Sequence, residues 1–395
     1  MKLNFLLFLL CIPALAGEIA NGLKPEGAAQ TLQFTEDLRF GGDGAEHMIW
    51  SGIASKLIPG PRGKMYVVDQ GEDRILEFGP HGSFRRTIAG RGNGPGEYQR
   101  LATFAVFDDG RAVGLDYYND MGRFFWYDTT LKFVEERSPP ESLSQVYFSP
   151  DGSLAAFRGF QLLKDGRITL VQGVMDQLKT THRAWEWTIP SWDGSRATDP
   201  EYLTERFSTL MKSRFGPKGI VAVGHHNQYY SAMSNNYRIT RYHRDGSAQL
   251  IITKQHKPRI KSEAQIENFI EQQVARFREP APPSFHPIIS KALVRRSYER
   301  AEFPLAYDPI LALLPLPDGS LLVVNQQDEA GTAHADLFHA DGRFAGEVSM
   351  PHHALVDADD MPNMYFRGAF AYAMETNEDG DFEAVRYRYR SVPVP

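Results

Sequence analysis

The chain has 395 residues, of which 42% are hydrophobic and 12% aromatic, and it carries a formal net charge of −6. That apolar content supports a packed core and excludes a globally disordered chain. The mild acidity argues against a nucleic-acid partner, because phosphate binding wants a basic face.

The first residues read as an export signal. Met1-Lys2 is a short positive start, residues 3–16 are almost wholly apolar, and Ala14-Leu15-Ala16 matches a small-x-small cleavage site. The apolar run is too short for a comfortable membrane span. Cleavage after Ala16 removes Lys2 and Cys11, the single cysteine, and takes the net charge to −7. The mature chain then has no thiol and needs no disulfide. The sequence has no Asn-x-Ser/Thr site, so a bacterial periplasmic or secreted protein is expected, working as a monomer with no membrane span after cleavage.

Further along, one pattern recurs six times: a turn ending in glycine, then a short apolar run. The glycines are Gly63, Gly110, Gly152, Gly219, Gly319 and Gly368, as in Pro61-Arg-Gly63-KMYVVD and Pro317-Asp-Gly319-SLLVVN. An apolar strand entered from a tight turn cannot cover its own faces, so the units must stack, and a closed ring of small sheets is the simplest arrangement. In the first unit the pattern predicts strands at 51–58, 65–69, 74–78 and 84–89. The second repeats them at 103–107, 112–116, 123–127 and 132–136, and the fifth at 310–314, 320–325, 334–339 and 344–349. The last unit offers three, at 354–357, 369–375 and 383–389, and residues 31–40 (TLQFTEDLRF) are predicted to supply its missing outer strand. The expected fold is all-β: a six-bladed β-propeller of four-stranded blades over residues 30–390, closed by an N-terminal strand that leaves no open sheet edge.

The stretch VVDQGEDRILEFGPHGSFRRTIAGRGNGPGEY (67–98), with Asp69, Gly71, Arg74 and Ile75 at the repeat spacing and a Gly-Pro-Gly-Glu crossover at 94–97, resembles the NHL-type six-bladed propeller proteins of bacteria. The resemblance implies a fold and not an activity, since propellers host many unrelated functions. The third and fourth units depart most from the pattern.

Two spacings are too long for one blade, and they place extra material at 192–214 and 256–303. The second, between blades 4 and 5, holds a predicted helix at 261–278. Ser262 and Gln265 form a capping box there, and Ile266, Phe269, Ile270, Val274 and Phe277 share a face. A second helix is predicted from near Pro287, including Ile289, Leu293 and Tyr298. Both insertions follow a fourth strand, so both leave the rim that carries the loops between second and third strands, and they are expected to cap that end of the channel, the alternative being that they pack on the outer wall.

The residue six after each repeat glycine is expected to end a second strand on this rim: Asp69, Asp116, Arg158, His225, Asn325 and Met374. Five are polar or charged and form the candidate ligand-binding ring; the alternative is a structural role, since Asp69 with Arg74 is the kind of intra-blade pair that tethers a strand-joining loop and Asp or Asn at a strand end is ordinary turn chemistry. Asp69, Asp116, His225 and Asn325 offer oxygen and nitrogen ligands that would suit calcium or zinc, but Arg158 opposes a cation and no chelating spacing is present, so no cofactor is predicted. The glycines of 90–96 are read as a sharp crossover, because no Lys-Ser/Thr and no helix follow them. No nucleophile elbow or triad is found. The expected function is an exported scaffold that binds a protein, peptide or small-molecule ligand at the capped rim. The alternative is a metal-dependent hydrolase or lyase, of the lactonase-like kind that some similar propellers are, with Asp69 or Asp116 as ligand and His225 as base.

Overall fold

A computed structural model of the chain describes residues 16–42, 50, 55–118, 121–139, 142–176, 179–276, 290–328, 332–351 and 364–394. Its order begins with two N-terminal strands, β1 (Gly17–Asn21) and β2 (Gln30–Phe40). Blade 1 holds β3–β6 (Lys56–Pro59, Met65–Asp69, Arg74–Phe78, Phe84–Ala89) and blade 2 holds β7–β10 (Leu101–Val106, Ala112–Tyr118, Met121–Tyr127, Phe133–Arg137). Blade 3 holds β11–β14 (Ser142–Phe148, Leu154–Leu162, Ile168–Asp176, Lys179–Ile189), followed by helix α1 (Pro200–Phe215). Blade 4 holds β15–β18 (Gly219–Val223, Gln228–Met233, Arg238–His243, Ala248–Lys254), followed by α2 (Glu263–Arg276) and α3 (Lys291–Arg300). Blade 5 holds β19–β22 (Ala312–Pro315, Leu321–Gln327, Ala333–Phe338, Phe344–Ser349), and blade 6 holds β23–β25 (Met364–Arg367, Phe370–Thr376, Phe382–Pro393) with β2 as its outer strand.

The chain is a six-bladed β-propeller, and its packing shows the closure. Six apolar clusters are found among the described residues, one at each joint between neighbouring blades, including the joint of blade 6 with blade 1 where Phe40, Trp50, Leu57, Phe78 and Tyr372 meet. β2 runs antiparallel to β25 from the Gln30–Pro393 pair to the Phe40–Ala384 pair, which ties the N-terminal segment into the last blade as expected. The alternating exposure along β2 puts Leu32 into the joint between blades 5 and 6.

β1 is a strand the hydrophobic pattern did not announce. It adds in parallel to β18 as a fifth strand of blade 4, with Gly17 opposite Leu250 and Asn21 opposite Lys254. Asn21 then acts as a clip. Its amide nitrogen donates to Thr253 O and Gly342 O, each at 3.0 Å, and its oxygen accepts from Phe344 N at 2.8 Å, so it spans blades 4 and 5.

The fourth unit needs a correction. The run after Gly219 is the innermost strand, not the second, and the turn into the second strand is residues 224–227, where Gly224 N donates to Gln228 O at 2.9 Å. His226 and Asn227 both have left-handed backbone there (φ 61° and 58°), with Asn227 at the position where the other blades carry their repeat glycine. Gly219 is required for another reason: a Cβ on it would stand 2.2 Å from Trp185 Cβ on the outer strand of blade 3. In blade 6 the innermost strand is Met364–Arg367, immediately before the Gly368 turn, and not 354–357, which lies outside the described residues.

The loop at 90–96 is the crossover expected from its glycines. Gly92 N donates to Tyr98 O and Tyr98 N to Gly90 O, at 2.9 and 3.0 Å, and a Cβ on Gly96 (φ +79°) would fall 2.8 Å from Phe133 Cβ.

Candidate functional site: the capped channel

The capping box of α2 forms as predicted. Gln265 N donates to Ser262 Oγ at 3.2 Å and Ser262 N to Gln265 Oε1 at 2.9 Å. α3 starts at Lys291 with Ser290 as its cap (Leu293 N to Oγ, 3.3 Å); Pro287 and Ile289 lie outside the described residues, as does Phe277. α1, in the first insertion, was missed, although Asp199-Pro200 is a legible start signal: Asp199 Oδ1 accepts from Glu201 N and Tyr202 N at 2.9 and 3.3 Å.

The two insertions pack on each other as one cap. Phe215 at the end of α1, Phe269 of α2, Tyr298 of α3 and Phe303 beyond it form an aromatic cluster, with Phe215–Phe269 ring centres 5.0 Å apart and Phe269–Phe303 5.5 Å. Such edge-on contacts add to the area each ring buries. The base of the second insertion is zipped by Lys261 N to Leu305 O (2.7 Å) and Tyr307 N to Arg259 O (2.9 Å). Arg259 also reaches Asn325 O of blade 5 at 3.0 Å, which seats the cap on the rim.

Under this cap lies a cavity of about 500 Å³ that runs down the propeller channel. Inner-strand residues from all six blades line it, such as Ile58, Phe104, Val146, Val221, Leu313 and Tyr365, together with Phe215, Ile266 and Phe269 of the cap. Its volume falls within the range of about 300–1,000 Å³ usual for sites that enclose a small organic ligand. The wall is mainly apolar. Polar lining gathers where blades 3 and 4 meet the cap: Arg158, Gln172, Lys218, Ser234, Lys261 and Asp308. Arg158 and Gln172 are paired across β12 and β13, Ser234 Oγ accepts from Lys218 N at 2.9 Å, and Lys261 Nζ donates to Pro304 O at 3.1 Å. Burial holds the Lys261 ammonium below its ordinary pKa, against the opposing pull of Asp308.

The far mouth is narrower in chemistry. Arg367 of blade 6 crosses it to donate to Pro59 O of blade 1 (3.0 Å) and Val106 O at the end of β7 (3.2 Å), and pairs with Asp108. His225 lines this end, where burial holds its imidazole below the ordinary value and Asp108 acts the other way.

The predicted ring is therefore not one ring. Arg158 and His225 line the channel but toward opposite ends, because His225 follows an innermost strand instead of ending a second one. Asp69 is fully buried and accepts from Arg74 Nε at 2.9 Å within blade 1; burial is the first influence on its carboxyl and raises its pKa. Asp116, equally buried, accepts from Arg123 Nη2 at 2.7 Å and from Gln99 N and Arg100 N at 3.0 and 2.7 Å, which clamps the crossover from blade 1. Met374 is buried in the joint between blades 6 and 1. Among the described residues no three His, Cys, Asp or Glu side chains gather in a way that could hold a metal ion.

Comparison with known proteins agrees on the architecture. Residues 56–179, from blade 1 to the outer strand of blade 3, match the family DUF5128, described as a 6-bladed beta-propeller. A solved protein of Bacteroides fragilis NCTC 9343, thought to be exported, superposes with a TM-score of 0.50 at 12% identity over 94% of this chain and 99% of that one. A member of the DUF4221 family from Bacteroides vulgatus ATCC 8482 gives 0.48 at 10% identity, covering 92% and 99%. A search of curated proteins finds no match. At such identities the likeness concerns the fold alone, so the function of this propeller has to come from its own channel.

The residues that sequence reasoning missed are Lys218, Lys261, Asp308 and Arg367. Lys218, Lys261 and Arg367 stand at or near element boundaries and Asp308 in the loop before β19, and nothing in the local pattern shows that these places converge on one cavity.

Proposed function

We propose that the protein is an exported binding scaffold whose ligand site is the capped channel. The observation that carries this reading is the cavity itself: a mainly apolar space lined by six inner strands and by the helices of the cap, with polar side chains at the capped end and, with His225 and Arg367, at the far mouth. An apolar wall with a few convergent polar groups is the usual form of a small-molecule site. Export is supported by the N-terminal signal pattern, by β1 beginning at Gly17 directly after the expected cleavage point, and by the B. fragilis structure thought to be exported. The NHL character of the repeats is supported by the Asp69–Arg74 ion pair at the quoted motif.

The hydrolase reading has less behind it. It needs Asp69 or Asp116 together with His225, but both aspartates are engaged with arginines inside their blades and His225 stands at the other mouth.

The test is a thermal-shift screen of small organic ligands on the purified chain and on Leu311→Trp. Leu311 lines the channel and is 36% exposed, so an indole there fills the cavity without entering a joint. Ligands of the channel raise the melting temperature of the wild type and leave that of Leu311→Trp unchanged. A library in which every stabilising compound acts equally on both proteins refutes the channel as the site.

A further inference from the structure

The wall of the channel holds a buried amide with no partner. Gln172 lies on β13 of blade 3, opposite Arg158 on β12 and Trp185 on β14. Alternation puts its side chain on the same face as Val174, which belongs to the apolar joint with Val221 and Tyr229 of blade 4. An apolar residue at 172 would extend that joint. The glutamine there is 7% exposed and lines the cavity, yet among the described residues no group hydrogen-bonds its amide. Burying an amide unpaired is unfavourable, and such groups normally find a partner. The cationic side chains of the wall are in the opposite state. Arg367 is turned to two carbonyls and to Asp108, Lys261 donates to Pro304 O at 3.1 Å, and neither Arg158 nor Lys218 is free of partners. An incoming anion would have to displace contacts that are already made, whereas Gln172 has its full hydrogen-bonding capacity to offer.

Resting on the channel reading, we infer that Gln172 is the recognition group of the channel and that its ligand is an uncharged, mainly apolar molecule carrying one amide, an N–H beside a C=O. A glutamine side chain presents a carbonyl that accepts and an NH2 that donates. A ligand amide answers both at once, through two hydrogen bonds in one plane. An ester or a tertiary amide accepts only and leaves the glutamine carbonyl unpaired. A carboxylate has the same defect and also sets a charge against an apolar wall. The hydrocarbon part of the ligand covers the wall beyond, past Phe104 and Val146. In the ligand-free protein the unpaired amide lowers stability, which marks a group kept for binding and not for packing.

The experiment joins thermal melting to isothermal titration calorimetry of the mature chain, on the wild type, Gln172→Met, Gln172→Leu and Leu311→Trp. Without ligand, Gln172→Met and Gln172→Leu should melt no lower than the wild type, because an apolar side chain replaces an unpaired amide. A lower melting temperature in both variants shows that the amide serves the joint and overturns the inference. The titrants are octanamide, N,N-dimethyloctanamide and octanoate. Octanamide is expected to bind the wild type at one site per chain, with the dimethyl amide and octanoate each weaker by about 10-fold or more, since one unpaired buried group carries about that factor. In the Gln172 variants octanamide should weaken by about 10-fold and its advantage over the dimethyl amide should vanish. An advantage that persists without Gln172, or octanoate that binds as tightly as octanamide, overturns the assignment. So does an absence of octanamide binding while other ligands still stabilise the wild type and not Leu311→Trp; in that case the channel reading stands. Octanamide binding that survives in Leu311→Trp places the amide outside the channel and overturns the inference, and the channel reading then rests on the ligand screen alone.

Discussion

Lys254 and Asp336 form a buried ion pair across the joint of blades 4 and 5, and it gives the sharpest test of what holds that joint. Nζ and Oδ1 are 2.7 Å apart, and the side chains are 8% and 1% exposed. Tyr237 donates its hydroxyl to the other oxygen of Asp336. At that separation and an effective dielectric of about 20, the attraction is about 6 kcal/mol, but desolvating two ions consumes several kcal/mol each. The net value of the intact pair is therefore small, while removal of one partner strands the other. Asp336→Leu should cost about 3–5 kcal/mol, and so should Lys254→Met, less any relief that Lys254 draws in the first variant from the Phe344 ring 4.0 Å below it. The combination Lys254→Met/Asp336→Leu, made with Tyr237→Phe so that no hydroxyl loses its acceptor, should return to within about 1–2 kcal/mol of the wild type. Urea unfolding is the assay, because guanidinium is itself a salt, and tryptophan fluorescence and far-ultraviolet dichroism must give coincident transitions. Single variants costing less than about 1 kcal/mol, or a combination as costly as the sum of its parts, would refute the reasoning.

Other perturbations follow from the same geometry. Asn21→Ala removes three hydrogen bonds that join β1 to blades 4 and 5 and leaves Phe344 N without its acceptor; it should lower stability by about 2–3 kcal/mol in urea unfolding. Gly219→Ala forces a methyl against Trp185 and should cost about 1–3 kcal/mol, with a change in the tryptophan emission of the folded state. Glu77 is buried, which acts to raise its pKa, but its ion pairs with Lys64 (2.7 Å) and Arg86 (2.9 Å) prevail and the folded value is lowered. Its contribution is therefore present above the ordinary glutamate pKa of about 4.3 and is lost as pH falls through the folded value, so Glu77→Gln should flatten the loss of stability below about pH 4.

Much of the ring was legible because a propeller blade is a local object. Strands at 65–69, 74–78 and 84–89 are paired where the pattern placed them, since apolar runs between glycine turns have only their chain neighbours to pair with. The closing strand was legible for a related reason: a last blade of three strands leaves an edge that only another strand can satisfy. Blade 4 was misaligned because its first turn has Asn227 in left-handed backbone at the position where its sisters have their glycine, while the glycine that was noticed serves a close approach to Trp185.

The candidate site was legible only in its location. The capping box of α2 and the chain position of both insertions follow from local hydrogen bonding and from the parity of strands in a blade, so the end that carries the cap is dictated by the amino-acid sequence. Which groups face the channel is not. Asp69 and Asp116 look like rim residues in one dimension, yet each is turned to an arginine on the next strand. Lys218 and Lys261, 43 positions apart, are ordinary boundary residues until the ring closes and brings both to one cavity. The reason is physical: strand pairing and helix capping are settled over a few residues, whereas the dielectric, the charge balance and the shape of a channel belong to six blades at once.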